Sequence, residues 1–431
     1  EILELNFETR PNMPATRLKT LKLKDGYKDN QRLGFKRVYF PELYEVPADF
    51  QGKIKQPHIK LDLYPKLESI DTSRKGDNTP VNVRNEAKLD YKVIGAFDFD
   101  RLYLAIQNYK LQRGWSNLRV DKQRLIDFCT GNTKIGNSWY TLLIPASELE
   151  IKQYADIAKQ EDIMLRLLTD YTDRFYNILK NAYEGQFYEV TQVKEDDPGM
   201  IKMYHFEIEE TDDGLAYASR LEQLQQLVID GEIGKAKSWS ASGMIAITFD
   251  KHLYYPLLSI EKNANIPLKM RPAALGAPSE ITFVHDLQSF VDSTKGQKII
   301  GDKSLYLLRN ADSKNRGLGF ATAGNFYPDF LLWLIDDKSG KQWLSLIDPK
   351  GIRNLNLDDP KFGLYKEIKN LEHKLSDDNL SLSAFIVSET CYVDLVNVPD
   401  SKENLEARNV LFIEDTGPVY LEKLFSKMVS Q

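Results

Sequence analysis

The chain has 431 residues, enough for two or three domains, and its net charge of −6 argues against nucleic-acid binding over the whole surface. A hydrophobic content of 42% suffices for sizeable cores, and no apolar run is long enough to span a bilayer, so we expect no membrane partner. Two cysteines and five scattered histidines argue against a disulfide framework or a zinc site, and fit a cytoplasmic protein. Because the sequence begins with Glu1 and not with methionine, we expect a fragment of a longer protein.

The predicted elements change in type along the chain. Residues 1 to about 90 alternate short apolar runs with Pro, Gly and Asp, which predicts strands joined by loops. Residues 91–240 are predicted to be mainly helical, because apolar residues recur at steps of three and four from Tyr154 to Leu179 and a further helix covers Leu215 to Leu227. The prolines between residues 256 and 278 indicate the last domain boundary.

Beyond this boundary the pattern becomes α/β. The predicted elements are a helix at Ser279–Ser293 with Ser279 as N-cap, strands at Ser304–Leu308, Phe330–Ile335 and Trp343–Ile347, a helix at Lys361–Leu375, strands at Leu382–Val387 and Asn409–Ile413, and a short closing helix.

Two glycine-rich stretches lack what nucleotide binding requires. The segment from Gly131 to Ser138 has P-loop spacing, but Asn137 stands where a lysine must reach the outer phosphates, so we interpret it as a turn. Gly317 and Gly319 are followed by Gly324, not by a glycine three residues on, so they form no dinucleotide fingerprint. We therefore expect that this chain does not bind ATP.

One pair of apolar runs carries chemistry at its ends. FLLWLI from Phe330 and WLSLI from Trp343 flank a polar separator that contains glycine, which predicts a β-hairpin. In an antiparallel hairpin the start of the first strand lies beside the end of the second, so Asp329 and Asp348 should meet. Lys350 has the same strand parity as Asp348 and should project toward the same place.

Two carboxylates and a lysine together suit a hard divalent cation and phosphodiester chemistry. Mg²⁺ typically takes one or two carboxylates with waters and substrate phosphate, and it polarises the phosphodiester. Lys350 would polarise the attacking water and offset charge on the phosphate. The Pro349 carbonyl would be a further ligand, and this proline predicts that strand pairing ends near the site.

A purely structural interpretation accounts for the same residues. Asp329 and Asp348 would cap the ends of a surface hairpin, and Lys350 would be a solvated surface charge. The P-D…D-x-K pattern is short and arises by chance in many chains. The local pattern therefore leaves both interpretations open.

A longer series of motifs extends this pattern. In order, it comprises Ser279-Glu280-Ile-Thr-Phe-Val-His-Asp286-Leu, Ser304-Leu-Tyr-Leu-Leu-Arg309-Asn310, Gly317-Leu-Gly319-Phe320, Gly324-Asn-Phe-Tyr-Pro-Asp329-Phe and Ile347-Asp348-Pro-Lys350-Gly351. The series resembles the C-terminal endonuclease domain of type III restriction-like, helicase-linked subunits, within the PD-(D/E)xK nuclease superfamily. The match covers about residues 245–355 and is more specific than the three residues Asp329, Asp348 and Lys350 alone.

The resemblance implies an α/β fold: a restriction-endonuclease-like mixed sheet flanked by helices over residues 241–431. A β-rich segment (1–90) and a mainly helical connector or docking region (91–240) would precede it. It also implies cleavage of double-stranded DNA with Mg²⁺, for which Mn²⁺ would substitute. Asp329 and Asp348 match the metal carboxylates, and Lys350 matches the catalytic lysine.

The resemblance adds Glu280 as a catalytic and metal-binding acid on the preceding helix. We prefer it to Asp286, since six residues apart is not a clean same-face spacing. The alternative is a first-turn glutamate that is favourable to the helix dipole. One departure from the family is that the second acid, Asp348, is more often Glu.

A second departure is that no helicase motor is visible. The resemblance therefore implies an ATP-dependent helicase module upstream or on another chain, and a possible modification or specificity subunit. The basic residues expected to hold DNA phosphates are Arg309, Lys314, Arg316, Lys341 and Arg353, although each one singly also fits a solvated surface charge. We interpret His285 as a partly exposed helical histidine, not as a general base.

Three functional hypotheses follow. The first is a DNA endonuclease of a helicase-linked restriction or phage-defence system. The second is a catalytically inactive, nuclease-like module that binds DNA or a partner. The third is a nuclease that acts on RNA or single strands, although no aromatic-rich stacking motif is apparent.

Overall fold

The chain forms two compact units, one built from Glu1–Lys24 with Tyr188–Gln431 and the other from Asp25–Phe187. The computed structural model describes residues 2–23, 38–40, 57–64, 84–184, 187–197, 199–232, 239–241, 243–261, 266–272, 275–310, 328–353, 360–395, 400–413 and 418–430. The division into segments 1–90, 91–240 and 241–431 cuts the chain elsewhere and stays a sequence-based prediction.

The strands are mostly short. They are β1 (Ile2–Glu8), β2 (Arg10–Pro11), β3 (Lys19–Leu23), β4 (Val38–Phe40), β5 (Ile59–Asp62), β6 (Glu86–Ala87), β7 (Leu118–Val120), β8 (Tyr140–Leu143), β9 (Tyr188–Gln192), β10 (Met203–Glu209), β11 (Ser240–Ala241), β12 (Met244–Ile247), β13 (Tyr254–Tyr255), β14 (Leu257–Ile260), β15 (Leu268–Arg271), β16 (Ser304–Arg309), β17 (Phe330–Ile335), β18 (Gln342–Lys350), β19 (Leu380–Ser388) and β20 (Val410–Phe412).

The helices lie between groups of these strands. They are α1 (Tyr91–Ile94), α2 (Phe99–Gln112), α3 (Lys122–Cys129), α4 (Tyr154–Glu184), α5 (Asp212–Ile229), α6 (Pro278–Asp292), α7 (Thr294–Ile300), α8 (Leu364–Leu375), α9 (Lys402–Ala407) and α10 (Val419–Ser430), with 3₁₀ turns at Ala146–Leu149, Pro360–Gly363 and Tyr392–Asp394. The prediction of a mixed α/β protein is therefore confirmed. No helix of the described residues has the length and hydropathy needed to cross a membrane.

The unit from residue 25 to 187 has its own aromatic core. The Trp139 ring stacks on Phe128 at 4.5 Å between centroids, and Tyr171 of α4 meets Trp139 at 5.3 Å. The predicted glycine-rich turn is confirmed here, because Gly131 and Gly136 adopt φ values of +74° and +52°. A Cβ at Gly131 would lie 2.8 Å from the Asn137 side-chain oxygen, so this turn requires glycine.

The other unit contains a five-stranded mixed sheet of order β16-β17-β18-β19-β20. The first three strands pair antiparallel and the last three pair parallel. All of β17 and all of β18 except Lys350 are buried, as in a sheet covered on both faces. Helix α8 packs on β19 from the crossover between β18 and β19.

The first residues of the chain belong to this same unit. Strand β1 pairs with β10, and β3 pairs with β9 in a register that places Leu23 opposite Tyr188. The Trp333 indole donates to the Lys19 carbonyl at 2.7 Å, and the Lys19 ammonium meets Asp377 at 2.6 Å. The amino-terminal strands therefore brace the mixed sheet.

One predicted helix start is wrong. Helix α6 begins at Pro278 with Ala277 as its N-cap, because proline is favoured at the first helical position. Ser279 consequently lies inside the helix, where its buried hydroxyl donates to the Pro349 carbonyl at 3.3 Å. The serine links the helix to the end of β18.

Candidate active site

The predicted hairpin forms, and its open end gathers the predicted catalytic residues. Its last antiparallel pair is Phe330 with Ile347, so Asp329 and Asp348 adjoin this pair on either strand. Strand β18 then continues beside β19 as far as Lys350. The predicted end of strand pairing near Pro349 therefore holds for β17 and is wrong for β19, because the parallel neighbour continues past the proline.

The two aspartates are in direct contact. The Asp348 side chain is buried, and it shares a hydrogen bond with the Asp329 carboxyl. Burial, the Asp348 charge and the Glu280 charge raise the pKa of Asp329 to about 8. A proton shared between the two carboxyl groups relieves the repulsion between two buried carboxylates.

Two lysines lie beside these aspartates. The Lys361 ammonium meets Asp348 Oδ2 at 2.6 Å and lies within hydrogen-bond distance of the Lys350 nitrogen. Burial and the neighbouring Lys361 charge lower the pKa of Lys350. Burial also opposes the charge on Lys361, but the Asp348 carboxylate outweighs it and raises the Lys361 pKa. The predicted convergence of Asp329, Asp348 and Lys350 is thus confirmed, and their roles stay predictions.

Glu280 lies in the first turn of α6, close enough for its charge to raise the pKa of Asp329. Its carboxylate is 3.8 Å from the Arg309 guanidinium, and both side chains are largely buried. Asp286, the other acid of α6, accepts a hydrogen bond from the Tyr420 hydroxyl at 2.9 Å. Of these two acids, Glu280 is therefore the one placed to act with Asp329.

The backbone that carries Asp329 is held by the end of β16. The Asn310 amide donates to the Asp329 carbonyl at 2.7 Å, and the Asn310 side chain donates to the Pro328 carbonyl at 2.9 Å. One residue earlier, the Arg309 amide donates to His252 Nε2 at 2.8 Å. These contacts fix Asp329 through its main chain.

His252 is fully buried and has a partner at each ring nitrogen. Since Nε2 accepts from Arg309, the imidazole proton lies on Nδ1 and is donated to the Tyr254 carbonyl at 2.6 Å. Burial lowers the pKa of His252 to about 3. The neutral ring therefore ties the 252–254 segment to the strand that positions Asp329.

Among the described residues of the predicted DNA-binding set, Arg309, Lys341 and Arg353 do not form one cluster. Arg309 is 4% exposed and faces Glu280, whereas Arg353 is exposed a short distance beyond Lys350. Lys341 is at the other end of the hairpin, with its ammonium 5.0 Å from the Trp343 ring. Lys314 and Arg316 lie outside the described residues, as do the motif glycines at 317, 319 and 324. His285 is exposed on α6, as expected.

The carboxylates fit a cation only with help from other oxygens. Within the described part of the chain, no group of three or more His, Cys, Asp or Glu side chains is arranged to hold a metal ion. Asp348 faces Lys361, and Glu280 faces Arg309. The buried Asp329–Asp348 pair nevertheless matches the one or two carboxylates that Mg²⁺ typically takes, and the Pro349 carbonyl, which accepts from Ser279, and waters would have to supply the other ligands.

Sequence reasoning missed Lys361, although a signal for it existed. Parallel neighbours such as β18 and β19 require a crossover connection, usually helical. The residues that begin this crossover helix must lie near the end of β18, where Asp348 and Lys350 are. A lysine at the start of the predicted helix Lys361–Leu375 was therefore a candidate for the site.

Comparisons with protein-family models, with curated proteins and with solved structures give no match.

Proposed function

We propose that this chain carries the metal-dependent endonuclease site of a helicase-linked restriction or phage-defence system and cleaves double-stranded DNA. The observation that supports the proposal most is the meeting of Asp329, Asp348 and Lys350 at one end of a buried hairpin. The motif series of the sequence supplies the reaction class and the restriction-endonuclease-like fold by resemblance. The motor and the specificity subunit are part of the same proposal.

In this proposal Asp329 and Asp348 hold a Mg²⁺ ion, which when bound polarises the phosphodiester and stabilises charge on the attacking and leaving oxygens. Asp329 would have to be ionised to hold the cation, so its raised pKa opposes metal binding at low pH. The Ser279 hydroxyl and the Asn310 amides keep the two aspartate-bearing segments in register.

Lys350 has the chemistry for the water-activating role. Its lowered pKa makes its ammonium a better proton donor and its neutral amine more accessible than those of an exposed lysine. It lies beside both aspartates, so a water held near the cation would be within its reach. Arg353, exposed beyond Lys350, would contact a DNA phosphate in this proposal.

The test is cleavage of plasmid DNA with Mg²⁺ by the intact assembly that includes the motor. Asp348→Ala and Lys350→Ala should each abolish cutting, with ATP hydrolysis by the motor unchanged. If both variants cut as fast as the parent, the assignment is wrong. Single-stranded DNA and RNA, offered in parallel, would reveal the alternative substrate classes.

One observation favours a second candidate, a catalytically inactive module with a nuclease-like site. The Lys361 ammonium already neutralises the charge of Asp348. An inactive site could retain this ion pair for stability. Titration calorimetry with Mn²⁺ distinguishes the two. Binding that Asp329→Asn and Asp348→Asn each abolish supports the nuclease, and absence of binding both with and without DNA supports the inactive module.

A further inference from the structure

Lys361 lies at the candidate site, but the proposed reaction gives it no role. It lies in the 3₁₀ turn Pro360–Gly363, at the start of the crossover to α8. Its ammonium is 2.6 Å from Asp348 Oδ2, and the two side chains are 26% and 6% exposed. A lysine so placed adjoins a carboxylate that the proposed function assigns to the metal.

The ammonium and a divalent cation would compete for the same carboxylate. A cation bound to Asp348 sits about 2 Å from its oxygen, so it would lie within several ångström of the Lys361 nitrogen. Two positive ions at such a separation repel strongly in a partly buried site. The ammonium must therefore leave Asp348 Oδ2, or weaken the binding of the cation, when metal enters.

A second lysine beside Lys361 constrains where the displaced ammonium can go. Lys350 is within hydrogen-bond distance of Lys361 and lies at the end of the same strand as Asp348. Both lysines thus border the place where the substrate phosphate would sit. A displaced Lys361 ammonium would be offset there by the negative phosphate.

We propose that Lys361 is a positioning residue that occupies Asp348 until metal and phosphate arrive together, and so sets the metal affinity of the free protein. The inference rests on the proposed function. In the absence of DNA it makes the site weak for metal. With DNA bound, the phosphate draws the ammonium away from Asp348 and the metal affinity rises.

The experiment is Mn²⁺ titration of the full chain by calorimetry at pH 8. Lys361→Met removes the charge while keeping much of the side-chain volume, and should bind Mn²⁺ at least about tenfold more tightly than the parent, which corresponds to 1.4 kcal/mol. Lys361→Arg retains the charge and should stay within about twofold of the parent.

Lys369→Met is the matched control. Lys369 is also a half-buried lysine, 25% exposed and 2.8 Å from Glu372, but it lies on α8 away from the aspartate pair. It should leave Mn²⁺ affinity unchanged. Thermal unfolding of each variant without metal establishes that it is folded, and a variant that is not folded is replaced by Lys361→Gln.

The outcomes separate the inference from the proposed function. Tighter binding by Lys361→Met supports the inference, including the case in which the parent shows no binding and the variant does. Equal or weaker binding by a folded variant overturns the inference and leaves the metal site standing. If neither the parent nor the variants bind Mn²⁺, the metal site and the inference are both wrong.

Discussion

The two ends of the β17–β18 hairpin carry the same residue types in opposite environments. At the turn end, Asp336 accepts hydrogen bonds from the Ser339 hydroxyl and the Lys338 amide, which lower its pKa. At the site end, burial and a second carboxylate raise the pKa of Asp329 to about 8. Lysines follow the same rule, since an exposed Asp302 raises the pKa of Lys338 whereas burial lowers that of Lys350.

The difference shows that residue types alone do not determine the pKa values and interactions of a site. Both ends of the hairpin read as short runs of Asp and Lys in the sequence. Water screens the charges of the turn end, so its pairs contribute little and titrate in the usual way. Exclusion of water at the site end turns the same groups into a proton-sharing, cation-attracting cluster.

The sharpest way to break the comparison is a matched pair of substitutions. Under the proposed function, Asp348→Asn should lower the rate of DNA cleavage by at least about 100-fold, because it would remove a metal ligand and the charge stabilisation that the metal would supply. Asp336→Asn, the same change at the turn end, should leave the rate unchanged. Plasmid cleavage by the intact assembly measures both, and equal rates for the two variants would remove the distinction between the ends.

The next effect concerns the support of the site end. His252→Ala leaves the Arg309 amide and the Tyr254 carbonyl without their buried partner, so it should lower the free energy of unfolding by about 2–4 kcal/mol. Urea denaturation at pH 7.5 measures the loss. His285→Ala, which truncates an exposed histidine of α6, is the control and should unfold as the parent does.

His252 also predicts a pH dependence. Its pKa is about 3 in the folded chain and about 6.5 when unfolded, so the unfolded chain binds more protons between these values. The contribution of His252 to the free energy of unfolding should therefore be fully present above pH 6.5 and decline as pH falls toward 3. In His252→Ala this part of the decline should vanish, and an unchanged slope would contradict the burial of a neutral imidazole.

Asp329 predicts a pH effect of opposite sign. Its folded pKa of about 8 lies above its ordinary value, so the folded chain holds the extra proton and stability falls as pH rises from about 4 to 8. Asp329→Asn replaces the shared proton by an amide hydrogen. In chelator it should raise the free energy of unfolding at pH 9 by about 1–2 kcal/mol, with no gain at pH 5. A loss of stability at pH 9 would contradict the shared proton.

The smallest effect is expected at the turn end. Lys338→Ala removes an ion pair with Asp302 in which both side chains are more than three-quarters exposed. Solvent screening makes such pairs weak, so the melting temperature should change by no more than about 1 °C. A larger drop would mean that the turn end contributes more than an exposed pair can.

The hairpin was predictable because its signals are local. Two apolar runs and a separator with Gly340 define the strands and the turn, and the antiparallel register then brings Asp329 to Asp348. The helix start was misjudged because two local signals compete, Ser279 as a cap and Pro278 as a first residue. Proline prevails, and the serine hydroxyl is used by Pro349 instead.

The missed residues depend on contacts between distant segments. His252 meets Arg309 only after β16 has been placed, and nothing near His252 in the sequence marks it as a buried partner. The position of Lys361 could be inferred only once the direction of the crossover after β18 was known. The periodicity of apolar residues in the sequence predicts helices and strands. Which other segments contact a helix or strand is decided by tertiary packing, which the periodicity does not show.

The pairing of Leu23 with Tyr188 has a practical consequence for dissecting the protein. Facing residues in an antiparallel pair are about 5 Å apart, so the chain leaves and re-enters the sheet-bearing unit at almost one point. Residues 25–187 thus form an insertion in a hairpin, and a short turn could bridge their removal. A minimal fragment that keeps the candidate site should therefore join residues 2–23 to 188–430, since a cut at residue 241 would discard the strands that brace the sheet.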